Sequence, residues 1–159
     1  MKLPEEKKAA AEQKPATKAT PEDVTNIVSE YVERGYVTKN YASVAGLSLT
    51  LKTPSQEQLM HAIEEVDAIM FRDNESLSVD RVQLVRNNNM ISLYTAGWGK
   101  KNFIEEQGDL FATKESFLAR REYLMKNVDV YAMEWAIKML TSFQDLVSSA
   151  FSDENLKNS

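Results

Sequence analysis

Between Thr20 and Phe151, apolar residues recur every three or four positions in five stretches and alternate with polar residues in one. The first helical stretch carries Val24, Ile27, Val28, Tyr31 and Val32. It follows Thr20-Pro21-Glu22-Asp23, which offers a capping hydroxyl, a first-turn proline and two acids for the positive end of the helix dipole. Gly35 is placed to end it in a left-handed conformation. From Tyr36 to Lys52 the period falls to two: Val37, Tyr41, Leu47, Leu49 and Leu51 alternate with Thr38, Lys39, Ser48, Thr50 and Lys52, and Ala45-Gly46 offers a turn. This pattern predicts a β-hairpin. Two strands alone are marginal in water, so the hairpin needs cover from a helix or from another chain's strand.

Thr53-Pro54-Ser55-Gln56 reads as a capping box opening a second helix, over about Pro54 to Phe71, with Leu59, Ile63, Val66 and Met70 on one stripe. A polar loop of Arg72, Asp73, Asn74 and Glu75 leads to Ser78-Val79-Asp80. A third helix follows on Val82, Val85, Met90, Leu93 and Tyr94. Asn87-Asn88-Asn89 interrupts its apolar pattern and is expected on an exposed face or at a kink, because Asn competes with the helical backbone for hydrogen bonds. Gly97-Trp98-Gly99-Lys100-Lys101 is expected to stop this helix and to lead through a polar connection to Gly108.

A shorter fourth helix is predicted over Thr113 to Lys126 on Phe117, Leu118, Arg121, Leu124 and Met125. Asn127 or Asp129 can cap the last helix, about Val130 to Phe151. Its apolar positions include Val130, Ala132, Met133, Trp135, Ala136, Ile137, Met139, Leu140, Phe143, Leu146, Val147 and Ala150, wider than a one-sided stripe. Such a helix is either central in the core or shared with another subunit. The fold class is therefore mainly α with a small β-hairpin, about five helices in one compact domain and a long C-terminal helix. Residues 1–19, rich in Lys, Glu, Ala and Pro, are expected as a flexible arm or as one ordered on a partner. The domain spans 20–151, and 152–159 forms a polar tail.

Composition narrows the function. A chain of 159 residues suits one domain, and no window approaches the roughly 18 to 20 apolar residues of a membrane span. No apolar segment follows the early lysines, so no secretory signal is expected. Zero Cys removes disulfides, thiolate nucleophiles and Cys-based zinc sites. A net charge of −5 argues against a nucleic-acid binder, which needs a basic face. Proteins are the expected partners, a second copy of the chain among them.

Candidate chemistry is thin. His61 has Glu57 four residues before it and Glu64 and Glu65 after it, but lacks the second imidazole or thiolate that a borderline metal favours. Glu64-Glu65, Glu105-Glu106 and Asp153-Glu154 lie in polar surroundings that would not raise a carboxyl pKa for acid-base work. The Gly97–Lys101 run lacks the spacer and the hydroxyl residue of a P-loop. No catalytic residue, metal ligand or cofactor is predicted. The partner-binding candidates are Leu47, Leu49 and Leu51 on the hairpin edge, together with Trp98, which is either packed inside or left for a partner. Trp135, Met139 and Phe143 on the last helix complete the set, since Met adapts to varied apolar partners and Trp is enriched at interface hot spots.

The order of parts adds a resemblance. Gly46-Leu47-Ser48-Leu49-Thr50-Leu51-Lys52-Thr53 runs directly into Pro54-Ser55-Gln56-Glu57. A later helix ends in Leu93-Tyr94-Thr95-Ala96-Gly97-Trp98-Gly99-Lys100, and the last helix leads to Asp153-Glu154-Asn155-Leu156-Lys157-Asn158. Over roughly 36–159 the chain resembles the small tail-assembly chaperones and baseplate-hub assembly proteins of tailed bacteriophages; the N-terminal arm departs from them. The resemblance implies a non-enzymatic chaperone in the cytoplasm of the infected host cell, binding tape-measure, hub or other tail proteins during virion morphogenesis. A permanent subunit of the virion tail or baseplate, and a host-directed or regulatory protein-binding adaptor, are the alternative expectations.

Overall fold

The computed structural model describes residues 19–72 and 78–152 and Asn155. The expected arm, apart from Ala19, the 73–75 loop and most of the expected tail lie outside the described residues, as does the side chain of Met70. Helix α1 (Pro21–Arg34) begins at a full capping box: Asp23 N–H donates to Thr20 Oγ1, and the Asp23 carboxylate accepts from the Thr20 backbone. It ends on Gly35, whose φ of 77° is left-handed. Strands β1 (Thr38–Ala42) and β2 (Ser48–Lys52) form the expected antiparallel hairpin, with Tyr41 opposite Leu49.

The hairpin is not isolated. The third helix ends at Tyr94, just before the Gly97–Lys101 run expected to stop it, and that run enters two strands: β3 (Thr95–Trp98), which pairs antiparallel with β2, and β4 (Lys101–Asn102), which turns back on β3 through Gly99-Lys100. The result is a four-stranded sheet in the order β1-β2-β3-β4. Gly97 lets the strands approach closely, because a Cβ there would meet the Lys101 carbonyl at 3.1 Å and the Thr50 side chain at 3.4 Å, so that these neighbours would have to give by a few tenths of an ångström. At the outer edge, Glu30 of α1 accepts from the Thr38 backbone N–H at 3.0 Å and from its hydroxyl at 2.8 Å, occupying part of β1's open side.

Among the described residues there are six α-helices. Helix α2 (Gln56–Arg72) starts later than expected, at a reciprocal box between Ser55 and Gln58. Thr53 is diverted to pair with Val37, donating its N–H to the Val37 carbonyl and accepting the Val37 N–H on its hydroxyl. Helix α3 (Val79–Tyr94) runs unbroken through the three asparagines. Asn89, expected on an exposed face or at a kink, is only 1% exposed. Helix α4 (Phe103–Gln107) lies in the expected polar connection; its adjacent Phe103 and Ile104 show no helical period. A 3-10 turn at Gly108–Leu110 leads to α5 (Lys114–Asn127) and then α6 (Val130–Ala150), capped by Asp129.

Helix α6 is the central element. Ala132, Ala136, Leu140, Phe143, Leu146 and Ala150 are buried on it, at steps of three and four that make a single stripe. The same core takes Ile27 from α1, Val37, Leu49 and Leu51 from the hairpin, Ile91 from α3 and Leu124 from α5. A second cluster joins Ala62, Leu93 and Phe117 across α2, α3 and α5. A third joins Ala96, Phe103 and Phe111 beneath β3 and α4.

On α5 the buried stripe is Phe117, Arg120 and Leu124, whereas Met125, read as apolar-face, is 60% exposed. Arg120 is wholly buried, and among the described residues no carboxylate pairs with it. Its Nε donates to the Ser92 carbonyl at 3.2 Å, and its Nη1 donates to Gln107 Oε1 at 2.8 Å and to the Phe111 carbonyl at 2.9 Å. The guanidinium carbon stands 4.0 Å from the Phe111 ring centre. Three segments thus hang on one side chain. Arg120→Met keeps much of the apolar stem but leaves these acceptors unpaired, so it should cost roughly 2 to 4 kcal/mol, read from the urea midpoint. Arg120→Lys should also be destabilised, because one ammonium cannot reproduce the planar fork.

Candidate partner-binding site

Most of the residues singled out in the sequence converge on one seam. Leu49 and Trp98 are register partners on neighbouring strands. The Trp98 ring meets Trp135 of α6 edge-on, with centroids 6.3 Å apart at 68°. Met139 and Phe143 follow Trp135 at steps of four on that helix, and Phe143 meets Tyr94 edge-on at 6.2 Å. The seam lies between sheet and helix inside the molecule. Leu49, Leu51 and Phe143 are 0% exposed, and β2 is paired on both edges, so they are core residues and not the accessible partner surface expected of them. Leu47 is half-buried in the hairpin loop, where its N–H donates to Ser43 Oγ. Trp98, Trp135 and Met139 are half-buried at the margin of the core.

Burial in this seam raises the Tyr41 phenol to about 12. The other predicted chemistry stays dispersed. Glu65, beside His61, pairs with Lys114 at 3.4 Å and Arg121 at 3.5 Å. Among the described residues no three His, Cys, Asp or Glu side chains cluster as a metal site, and no helix is long and apolar enough to cross a membrane.

The molecule's more open apolar surface lies elsewhere. Ala62, Ile63 and Val66 of α2 and Met90 of α3 wall a cavity of about 280 Å³. Asp67 lines it from α2, and Arg86 and Asn89 line it from α3. Ile63 is 43% exposed, and Met60, one turn earlier, is 52% exposed. Behind the groove, Arg121 of α5 donates to Asn89 Oδ1 at 2.9 Å. That bond fixes the orientation of the amide, and its buried Nδ2 has no acceptor among the described residues. A smaller cavity of about 160 Å³ between α1, β1 and α6 has its acids already engaged, Asp23 in the α1 cap and Glu30 on Thr38.

In the sequence Ile63 and Val66 stand on an apolar stripe with nothing that distinguishes them as a site. Met60, Arg86 and Asn89 are not marked either. An asparagine within an otherwise good helix, one turn from an arginine and beside Met90, was the available signal. No protein-family model, curated protein or solved structure matches the chain.

Two measurements test the seam. In a double-mutant cycle, Trp98→Ala and Trp135→Ala should couple by about 1 kcal/mol, the worth of an edge-on aromatic pair; zero coupling would show that the rings only share space. Tyrosinate absorbance should contain a component near pH 12 that Tyr41→Phe removes. With its folded value above the unfolded one near 10, this phenol contributes stability below pH 10 that is lost as pH rises through 12.

Proposed function

We propose that this protein is a non-enzymatic assembly factor that holds an apolar helical face of a partner protein in the groove between α2 and α3. The observation that carries the reading is the groove itself. Ala62, Ile63, Val66 and Met90 give it an apolar centre between Asp67, Arg86 and Asn89, and Ile63 and Met60 remain substantially exposed although the same helix buries Ala62 in the core. Exposed apolar side chains beside a concave surface mark interaction sites more often than isolated ones do. A channel between two helices is suited to receive a third helix.

The biological setting rests on the resemblance in element order to phage tail-assembly chaperones and baseplate-hub assembly proteins. In that setting the partner is a tape-measure, hub or other tail protein, and the factor acts in the cytoplasm of the infected cell. Shielding an aggregation-prone helix needs only an apolar groove, with no chemistry inside it.

Tape-measure and hub proteins co-expressed with the chain should be retained by it. Ile63→Glu should reduce that retention roughly tenfold or more, since a buried unpaired carboxylate opposes association. Its melting temperature should stay near the parent's because Ile63 is partly exposed in the free protein. Retention of no tail protein would end the assembly reading. Presence of the chain at fixed ratio in purified virions would replace it with a structural one.

A further inference from the structure

We propose that the α2–α3 groove selects an acidic amphipathic helix, which buries an apolar side chain in the cavity and sets an Asp or Glu against Asn89 and Arg86. The inference rests on reading the groove as a partner site and adds the partner's chemistry.

A volume of about 280 Å³ falls just below the ~300 to 1,000 Å³ usual for organic ligands and suits one or two side chains of a docked helix. The polar groups of the groove then determine what stands beside that anchor. Asn89 is 1% exposed, its oxygen is taken by Arg121, and its Nδ2 is left as a desolvated donor without an acceptor among the described residues. A buried donor of this kind gains from any acceptor brought to it. Arg86 lines the same cavity one turn earlier on α3, and among the described residues it forms no ion pair. An amide N–H beside a guanidinium suits a carboxylate, which accepts from both.

Asp67 gives the arrangement a direction. It lines the cavity from α2 and repels a carboxylate there, so the partner's acid belongs over α3, with a basic or neutral residue over α2. The apolar anchor sits between them, against Ile63, Val66 and Met90.

The test is selection from a displayed library of helical peptides of about 16 residues, some four turns, with one apolar anchor and randomised flanks. Selected peptides should carry Leu, Met or Phe with Asp or Glu three or four positions away. In NMR titrations they should shift the Ile63 and Met90 methyl signals and the Asn89 side-chain amide protons. Arg86→Glu, an exposed substitution expected to leave the melting temperature unchanged, should weaken the best peptide by roughly tenfold or more. Replacing that peptide's acid with Lys should recover binding to the variant.

Peptides that occupy the groove with no acidic preference, or that ignore Arg86→Glu, overturn the inference while leaving the groove as a partner site. Selection of no peptide, or only of peptides that leave Ile63 and Met90 unmoved, removes both. Self-association of the protein that Arg86→Glu abolishes would assign the groove to a second copy and overturn the proposed partner.

Discussion

Arg120 is a cation held inside the molecule, with no carboxylate among the described residues to neutralise it. Removing a guanidinium from water is costly, and burial pulls its pKa down to about 10. It remains charged at neutral pH, and the lowered value means that the charge itself opposes folding there. Three oxygens and the face of Phe111 offset that cost. Because these partners come from the end of α3, from α4 and from the turn after it, the three bonds form together only when all three segments are in place, while Nη2 stays buried without a partner among the described residues. Lys52 of β2 adds to the arrangement, with its ammonium 4.5 Å from the same Phe111 ring and 4.2 Å from Tyr36. Burial, and secondarily the charge of Arg120, hold Lys52 below the usual lysine range.

This clamp positions the strand that decides the rest. With the end of α3 tied to α5, the chain leaves Tyr94 directly into β3, and β3 closes the free edge of β2. The sheet so formed sets Leu49, Leu51 and Trp98 against α6. Leu49, Leu51 and Phe143 are therefore spent inside the molecule, while Leu47, Trp98, Trp135 and Met139 stay half-buried. A groove stays open between α2 and α3, with Arg121 of α5 behind it.

Five of the six helices described, their order, the hairpin with its turn and the helical class were legible in the sequence because each is a local matter, whereas α4 was not. A capping hydroxyl, a glycine at positive φ and a period of 3.6 or 2 act within a few residues, and the Thr20 box, Gly35 and the Asp129 cap stand where the sequence placed them. The absence of cysteine and the acidic balance belong equally to the sequence. Shifts at this level were small, such as the cap of α2 moving from Thr53 to Ser55 because Val37 claimed Thr53.

What only the tertiary structure decided were the non-local pairings. Four residues, Thr95 to Trp98, are too few to show alternation, and they became a strand because β2, more than forty positions earlier, offered an unpaired edge. Arg120 carries no sign in the sequence that it is buried, since its acceptors are main-chain carbonyls and one glutamine amide. Whether Leu49 or Ile63 meets solvent depends likewise on which elements pack against it. The sequence by itself determined which faces were apolar; the packing of α6 and β3 determined which of them stayed open, because burial is a property of neighbours and not of the residue.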